Sequence, residues 1–207
     1  MGSLDQLLSA PASLLLLMAN IGLSVAAFQN TALIDRLMFD VGRMRRQGEW
    51  YRMFTSGFVH GDPSHLLINM VTLFAFGPSL EGALGTAPFL GIYMGSLLAG
   101  SAWSWMEHFR DSSYRAVGAS GAISGLVSVF AIFAPLAMLL FPPVPAIIYA
   151  VGFILWSAWA ASANVRDGIG HSAHLGGALA GVAIVCIWWP DAPQRMIDQI
   201  VASVSGF

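Results

Sequence analysis

The sequence predicts an all-α membrane protein, a bundle of six transmembrane helices with a long folded first loop. Three observations predict it. The 207-residue chain is 57% hydrophobic and only 10% charged, whereas a soluble domain carries about 25% charge and about 45–50% apolar residues even with Gly counted. Its mean hydropathy is +0.70. The few charges fall into islands, and the gaps between them match the roughly 20 apolar residues a helix needs to cross the hydrocarbon core.

The same composition excludes other classes. It rules out a disordered chain, a nucleic-acid module and a disulfide scaffold. A net charge of −2 implies no polyanionic partner. All nine basic residues are Arg, and Cys186 is the single cysteine, so no internal disulfide forms.

The charge-free gaps give the elements in order. Residues 6–34 hold a first span at about 10–29. They lack the basic start of a signal peptide, so this span reads as a retained helix. The gap between Asp62 and Glu81 places a second span at about 65–83, and that between Glu81 and Glu107 a third at about 87–106. Residues 116–165 are long enough for two helices, about 119–139 and 145–163, with Pro142, Pro143 and Pro145 marking the turn. The last gap, 168–190, gives a sixth span at about 171–189. Residues 1–207 read as one transmembrane domain, with no extra domain before the first span. Trp103, Trp105, Trp159, Trp188 and Trp189 sit near span ends, as an aromatic belt requires; Trp156 fits the belt or the core equally well. The connection 30–64 holds five Arg and several acids, is too long for a plain turn, and should fold against the bilayer surface.

Parity brings chemistry together. In a six-span chain, spans two, four and six begin on the same side. His65 and Asn69 open span two, Ser120 opens span four, and His171 and His174 open span six. Polar groups inside a membrane are costly and face a cavity or one another. His65 and Asn69, four apart, share a helix face. Gly121 and Gly125 form a small-residue stripe in span four; Ala173, Gly177 and Gly181 form another in span six. Such stripes let helix backbones approach closely. If these two meet, Ser120 and His174 come within hydrogen-bonding reach.

A serine beside a histidine is the minimum for an activated hydroxyl nucleophile. The developing oxyanion needs donors already in place. Asn69, the His65 ring and the Ser120 backbone N–H offer them. No third acid is evident: Asp62 and Asp167 both belong at the membrane surface. Taken singly, Ser120 reads as a packing residue bonded to its own helix, and His65 and His174 as satisfied interior histidines. Taken together, at one depth, they point to catalysis.

These residues resemble the rhomboid intramembrane serine proteases. Glu49-Trp50-Tyr51-Arg52 resembles the family's Trp-Arg signature in the first loop, with Tyr51 where many members have Trp. His60 followed by His65 and Asn69 resembles its H-x-x-x-N pattern with the upstream histidine. Gly77, Glu81 and Gly85 match G-x-x-x-E-x-x-x-G. Gly118-Ala119-Ser120-Gly121 matches the nucleophile motif G-x-S-G, and Ala173-His174 with Gly177 and Gly181 matches A-H-x-x-G-x-x-x-G.

The resemblance implies a minimal bacterial-type six-helix core that cleaves transmembrane segments of other membrane proteins. Ser120 would be the nucleophile and His174 the base, with His65, Asn69 and Ser120 lining the oxyanion hole. Arg52 and Glu81 would hold the first loop and the ends of spans two and three. Gly118, Gly121, Gly177 and Gly181 would be structural, and His60 and His171 would support the site. No cofactor, metal or nucleic acid is implied; the partners are the lipid bilayer and its helical proteins, and the location a bacterial inner membrane. Ser124 stands where some members carry a tyrosine against the histidine ring, which leaves the support of His174 open. Hydrolysis beneath the membrane surface further requires a polar cavity open to water, with span five and residues 164–170 acting as a lateral gate.

Orientation carries a conflict. Eight of the nine Arg lie in 30–64, 107–118 and 164–170, which the positive-inside rule would place in the cytoplasm. The family places the active-site side at the exterior, and that orientation is followed. Three rival functions differ in chemistry: a catalytically silent relative that binds membrane clients, a metal site of His60, His65, His171 and His174, and a small channel or transporter. The silent relative commonly lacks the serine or the histidine, and no H-E-x-x-H motif accompanies the histidines.

Overall fold

A computed structural model describes residues 4–139, 143–163, 165 and 169–205. In chain order the elements are α1 (Leu4–Leu8), α2 (Pro11–Gln29), α3 (Thr31–Leu37), β1 (Phe39–Asp40), α4 (Val41–Gln47), α5 (Arg52–Thr55), a 3-10 turn (Ser56–Phe58), α6 (Pro63–Leu84), α7 (Thr86–His108), β2 (Arg115–Ala116), α8 (Ser120–Phe133), α9 (Ala146–Ser162), α10 (His171–Trp188) and α11 (Ala192–Ser205). The protein is an all-α membrane bundle. Among the described residues, α2, α6 and α10 are long and apolar enough to cross a membrane, and α8 and α9 are shorter apolar helices.

Local chemistry sets the helix starts. Pro63 occupies the first turn of α6, where a missing N–H costs nothing. The Asp62 carboxylate caps that helix by accepting from the His65 backbone N–H at 2.9 Å. Gly85, at φ +90°, makes the sharp joint between α6 and α7.

One helix end departs from expectation. The span drawn to residue 139 stops at Phe133. Pro135 has no N–H and disfavours helix at the residue before it, and Ala134 is non-helical at φ −136°, ψ 63°. Pro142, read as part of the turn, lies outside the described residues. Helices α1 and α11 at the chain ends were not expected at all.

Lipid tails are as apolar as leucine, so these helices associate by close packing rather than by the hydrophobic effect. Glycine supplies the closeness. A Cβ on Gly181 would lie 2.7 Å from the Gly125 carbonyl oxygen, and one on Gly177 would collide with the Gly121 carbonyl. On the other side, a Cβ on Gly100 of α7 would meet the Ala173 carbonyl oxygen at 2.5 Å. Helix α10 therefore presses backbone to backbone against both α8 and α7. Leu73, Phe89, Ile92, Tyr93, Leu126 and Val129 fill the remaining interior. Trp156 is 53% exposed, which assigns it to the outer surface rather than the core.

The 30–62 connection folds around Arg52, which is fully buried. Its Nε donates to Glu49 at 2.6 Å, and its Nη1 donates to the carbonyls of Asp35 (2.8 Å) and Met38 (2.7 Å). Strand β1 pairs antiparallel with β2, joining Asp40 to Arg115 and Phe39 to Ala116. The Asp40 carboxylate also receives the Arg115 Nε at 3.1 Å. The first loop is thus fastened to the segment that leads into α8. Arg43, Arg52 and Arg115 each face a carboxylate, so these three positive charges are balanced within the fold.

Candidate active site

The site begins with the turn before α8. Gly118 sits at φ +120°, a conformation open to glycine but strained for other residues. A Cβ there would also lie 2.6 Å from His65 Cε1. The backbone is pinned on both sides of this contact. The Gly118 N–H donates to the Ser56 carbonyl at 2.9 Å, and the Ala119 N–H donates to His60 Nε2 at 3.4 Å. Ser120 then opens α8.

His60 is fully buried, and its Nδ1 lies 2.9 Å from Ser24 Oγ on α2. Accepting at Nε2 requires a neutral ring that carries its proton on Nδ1. Burial, reinforced by the nearby His65, pushes the His60 pKa down to about 4 and keeps the ring neutral.

His65 stands edge-on to His60, ring centroids 5.0 Å apart. Asn69, one turn along α6, is buried and donates through Nδ2 to the His65 carbonyl at 2.9 Å. Within α8, Ser124 and Ser128 donate back to the carbonyls of Ser120 (2.6 Å) and Ser124 (2.9 Å). Ser124 is therefore engaged with its own helix.

His174 projects from the first turn of α10. The Phe153 ring, from α9, lies 5.4 Å from it at a tilt of 32°, and His171 stands 6.2 Å away, edge-on. The residues beside the candidate pair touch: a Cβ on Gly121 would sit 3.2 Å from the Ala173 carbonyl oxygen. Ser120 and His174 both line one cavity of about 850 Å³, together with His65, Asn69, Ser124 and Phe153. A second cavity of about 30 Å³ opens beside Ser120, between Ser56, Ser101, Ser104 and Gly121. That is room for a small side chain or a water molecule or two.

The remaining expected residues fall elsewhere. Glu81 is buried at the far end of α6. Its carboxylate accepts from the Ala12 N–H (3.0 Å), the Ser13 N–H (2.7 Å), Ser13 Oγ (2.8 Å) and Thr86 Oγ1 (2.8 Å). It therefore caps α2 and ties the starts of α2 and α7 to the end of α6, and among the described residues its hydrogen bonds do not reach the first loop. Arg52 is the one of the two that holds the first loop. Asp62 is occupied with capping α6 and binding Ser64. Asp167 lies outside the described residues, as do Arg166 and most of the 164–168 stretch. Among the described residues, no group of three or more His, Cys, Asp or Glu side chains is placed to hold a metal. Sequence reasoning missed Ser24 and Phe153, whose contacts join distant elements and leave no local pattern.

Comparison with known proteins agrees with this architecture. The rhomboid domain matches residues 47–191. The chain is 43% identical over 83 residues to the putative rhomboid protease YdcA of Bacillus subtilis, covering 40% of this chain and 41% of that protein. It is 30% identical over 167 residues to the rhomboid protease AarA of Providencia stuartii, covering 72% and 59%. It is 40% identical over 134 residues to the mitochondrial rhomboid protein 1 of Saccharomyces cerevisiae, covering 61% and 38%. The chain thus spans roughly two fifths to three fifths of the length of these relatives. They include mitochondrial as well as bacterial proteins, so the expected bacterial inner membrane gives way to the broader statement of a multi-pass membrane protein.

Proposed function

The chain belongs to the rhomboid family, and from that premise we propose that it is an intramembrane serine endopeptidase acting on transmembrane segments of other membrane proteins. The carrying observation is that Ser120, His174, His65 and Asn69, from three helices, line a single cavity. Ser120 Oγ attacks the scissile carbonyl while His174 takes its proton. The tetrahedral oxyanion receives hydrogen bonds from the His65 ring, the Asn69 amide and the Ser120 backbone N–H. His174 then protonates the leaving amine. A water molecule, deprotonated by the same imidazole, hydrolyses the acyl-enzyme and restores Ser120. Histidine serves as base without a carboxylate partner, as in other two-residue variants of this chemistry.

The cavity supports a substrate class as well. A peptide bond inside a helix is shielded, so the substrate segment must unwind locally to reach Ser120. The roughly 30 Å³ hollow beside Ser120 favours a small side chain next to the cut. Entry runs between α6 and α9, since Ile68 and Thr72 of the former and Tyr149 and Phe153 of the latter line the cavity. Tethering α6 to α9 with a crosslink should therefore block cleavage of a membrane substrate. Residues 1–207 act as one six-span domain whose cavity faces the exterior, an orientation that a reporter fused at the C-terminus checks.

Purified protein incubated in detergent with a fluorogenic membrane-segment substrate tests the whole reading. Wild type should cleave, and Ser120→Ala and His174→Ala should not. No turnover by wild type would favour the silent client-binding relative, and equal turnover by wild type and Ser120→Ala would remove Ser120 as the nucleophile.

A further inference from the structure

Helix α11 has no part in the proposed reaction, yet its 14 residues divide cleanly into two arcs. At 100° per residue, Met196, Ile197, Ile200, Val201 and Val204 fall on one side of the helix. Gln194, Arg195, Asp198, Gln199 and Ser203 fall on the other. The polar arc is internally satisfied: Gln194 donates to Asp198 at 2.8 Å, and Arg195 pairs with Asp191. The apolar arc is only partly used. Met196, at its edge, packs against the core, but Ile197, Val201 and Val204 are 48%, 57% and 71% exposed. We propose that this strip is a lipid-surface anchor, lying at the boundary between headgroups and acyl chains on the side of the bilayer away from Ser120.

Position, continuity and charge support that occupant. Trp189, between α10 and α11, packs edge-on against Phe133 at 5.8 Å. Phe133 ends α8 and Ser120 begins it, so α11 sits at the opposite end of the bundle from the candidate nucleophile. Ile187 and Trp188, at the close of α10, are also exposed, so the strip extends the surface that the last span turns to lipid. At the same end, α1 exposes Leu4 and Leu8 beside the Glu81 cap. Arg195 and Asp198 cancel within α11, so anionic headgroups gain no net attraction. The apolar boundary itself is the partner.

Site-directed spin labelling of the full chain in lipid vesicles tests the proposal. In a Cys186→Ser background, single labels are placed by Ile197→Cys, Val201→Cys and Val204→Cys, and by Gln194→Cys and Asp198→Cys on the polar arc. All five positions are exposed, and each arc is the control for the other. In phosphatidylcholine the strip labels should collide with oxygen and lose access to a water-soluble nickel chelate, at a depth of roughly 5–10 Å. The polar-arc labels should do the reverse, and adding phosphatidylglycerol should leave the depths unchanged. Equal nickel access on both arcs would place the strip in water and overturn the proposal. Immobilised strip labels broadened by spin–spin coupling would show a second copy covering it, with the same consequence.

Discussion

The Phe153 ring lies 5.4 Å from the His174 imidazole, tilted by 32°, and the two come from different helices. Aromatic contacts of this kind contribute about 0.5–1.5 kcal/mol. Ser124, one turn after Ser120, is bonded to its own helix instead. Phe153→Leu should therefore lower kcat by up to about tenfold, with KM little changed, while Phe153→Tyr keeps most of the rate. Steady-state kinetics on a membrane-segment substrate decide the matter, and unchanged kcat in the leucine variant would remove Phe153 from the support of His174.

Backbone contact between α8 and α10 makes a second prediction. A side chain at Gly177 collides with the Gly121 carbonyl, whereas nothing lies within 4 Å of a Cβ at Gly152. Gly177→Val should destabilise the fold by about 1–3 kcal/mol and abolish cleavage by separating Ser120 from His174. Gly152→Ala should leave both the melting temperature and the activity close to wild type.

The neutral, buried His60 carries a pH dependence of known sign. Its pKa falls from 6.5 to about 4 on folding, so between those values the unfolded chain binds the extra proton and the folded chain does not. Stability should be flat above about pH 6.5 and decline as pH drops toward 4, by up to about 1.4 kcal/mol per pH unit. His60→Gln keeps an acceptor for the Ala119 N–H but cannot titrate. Thermal unfolding across this range should show a shallower decline in the glutamine variant, and identical slopes would count against His60 as the titrating group.

Glu81 offers the contrast of a polar residue with a purely architectural task. Glu81→Gln removes the charge that receives two backbone N–H groups and two hydroxyls. A loss of about 1.5–3 kcal/mol is expected for charge-assisted bonds of this kind, read as a lower unfolding temperature. The specific activity of the protein that remains folded should not change.

Much of this arrangement was legible before any coordinates. Charge-free gaps located every long apolar helix because exclusion of charge from lipid is a strong, local signal. The small-residue stripes pointed to the α8–α10 contact because close backbone approach demands that spacing. Other features left no such trace. The contact of Ser24 with His60 joins residues 36 apart, and Phe153 meets His174 only through the packing of α9. The early end of α8 was written in Pro135, but a search for missing charge passes over a proline. Helix α11 escaped for the opposite reason, since Arg195 and Asp198 mark it as a loop to any method that looks for gaps.

The shortness of α8 has a geometric consequence. A helix of 14 residues is about 21 Å long, against about 30 Å of hydrocarbon. Its Phe133 end stands level with Trp189, where the last span closes, so the shortfall of about 9 Å falls at the Ser120 end. The stub leaves a shaft walled by its taller neighbours, and how far a peptide must be drawn down that shaft is set by where the Gly118 turn lets the helix begin.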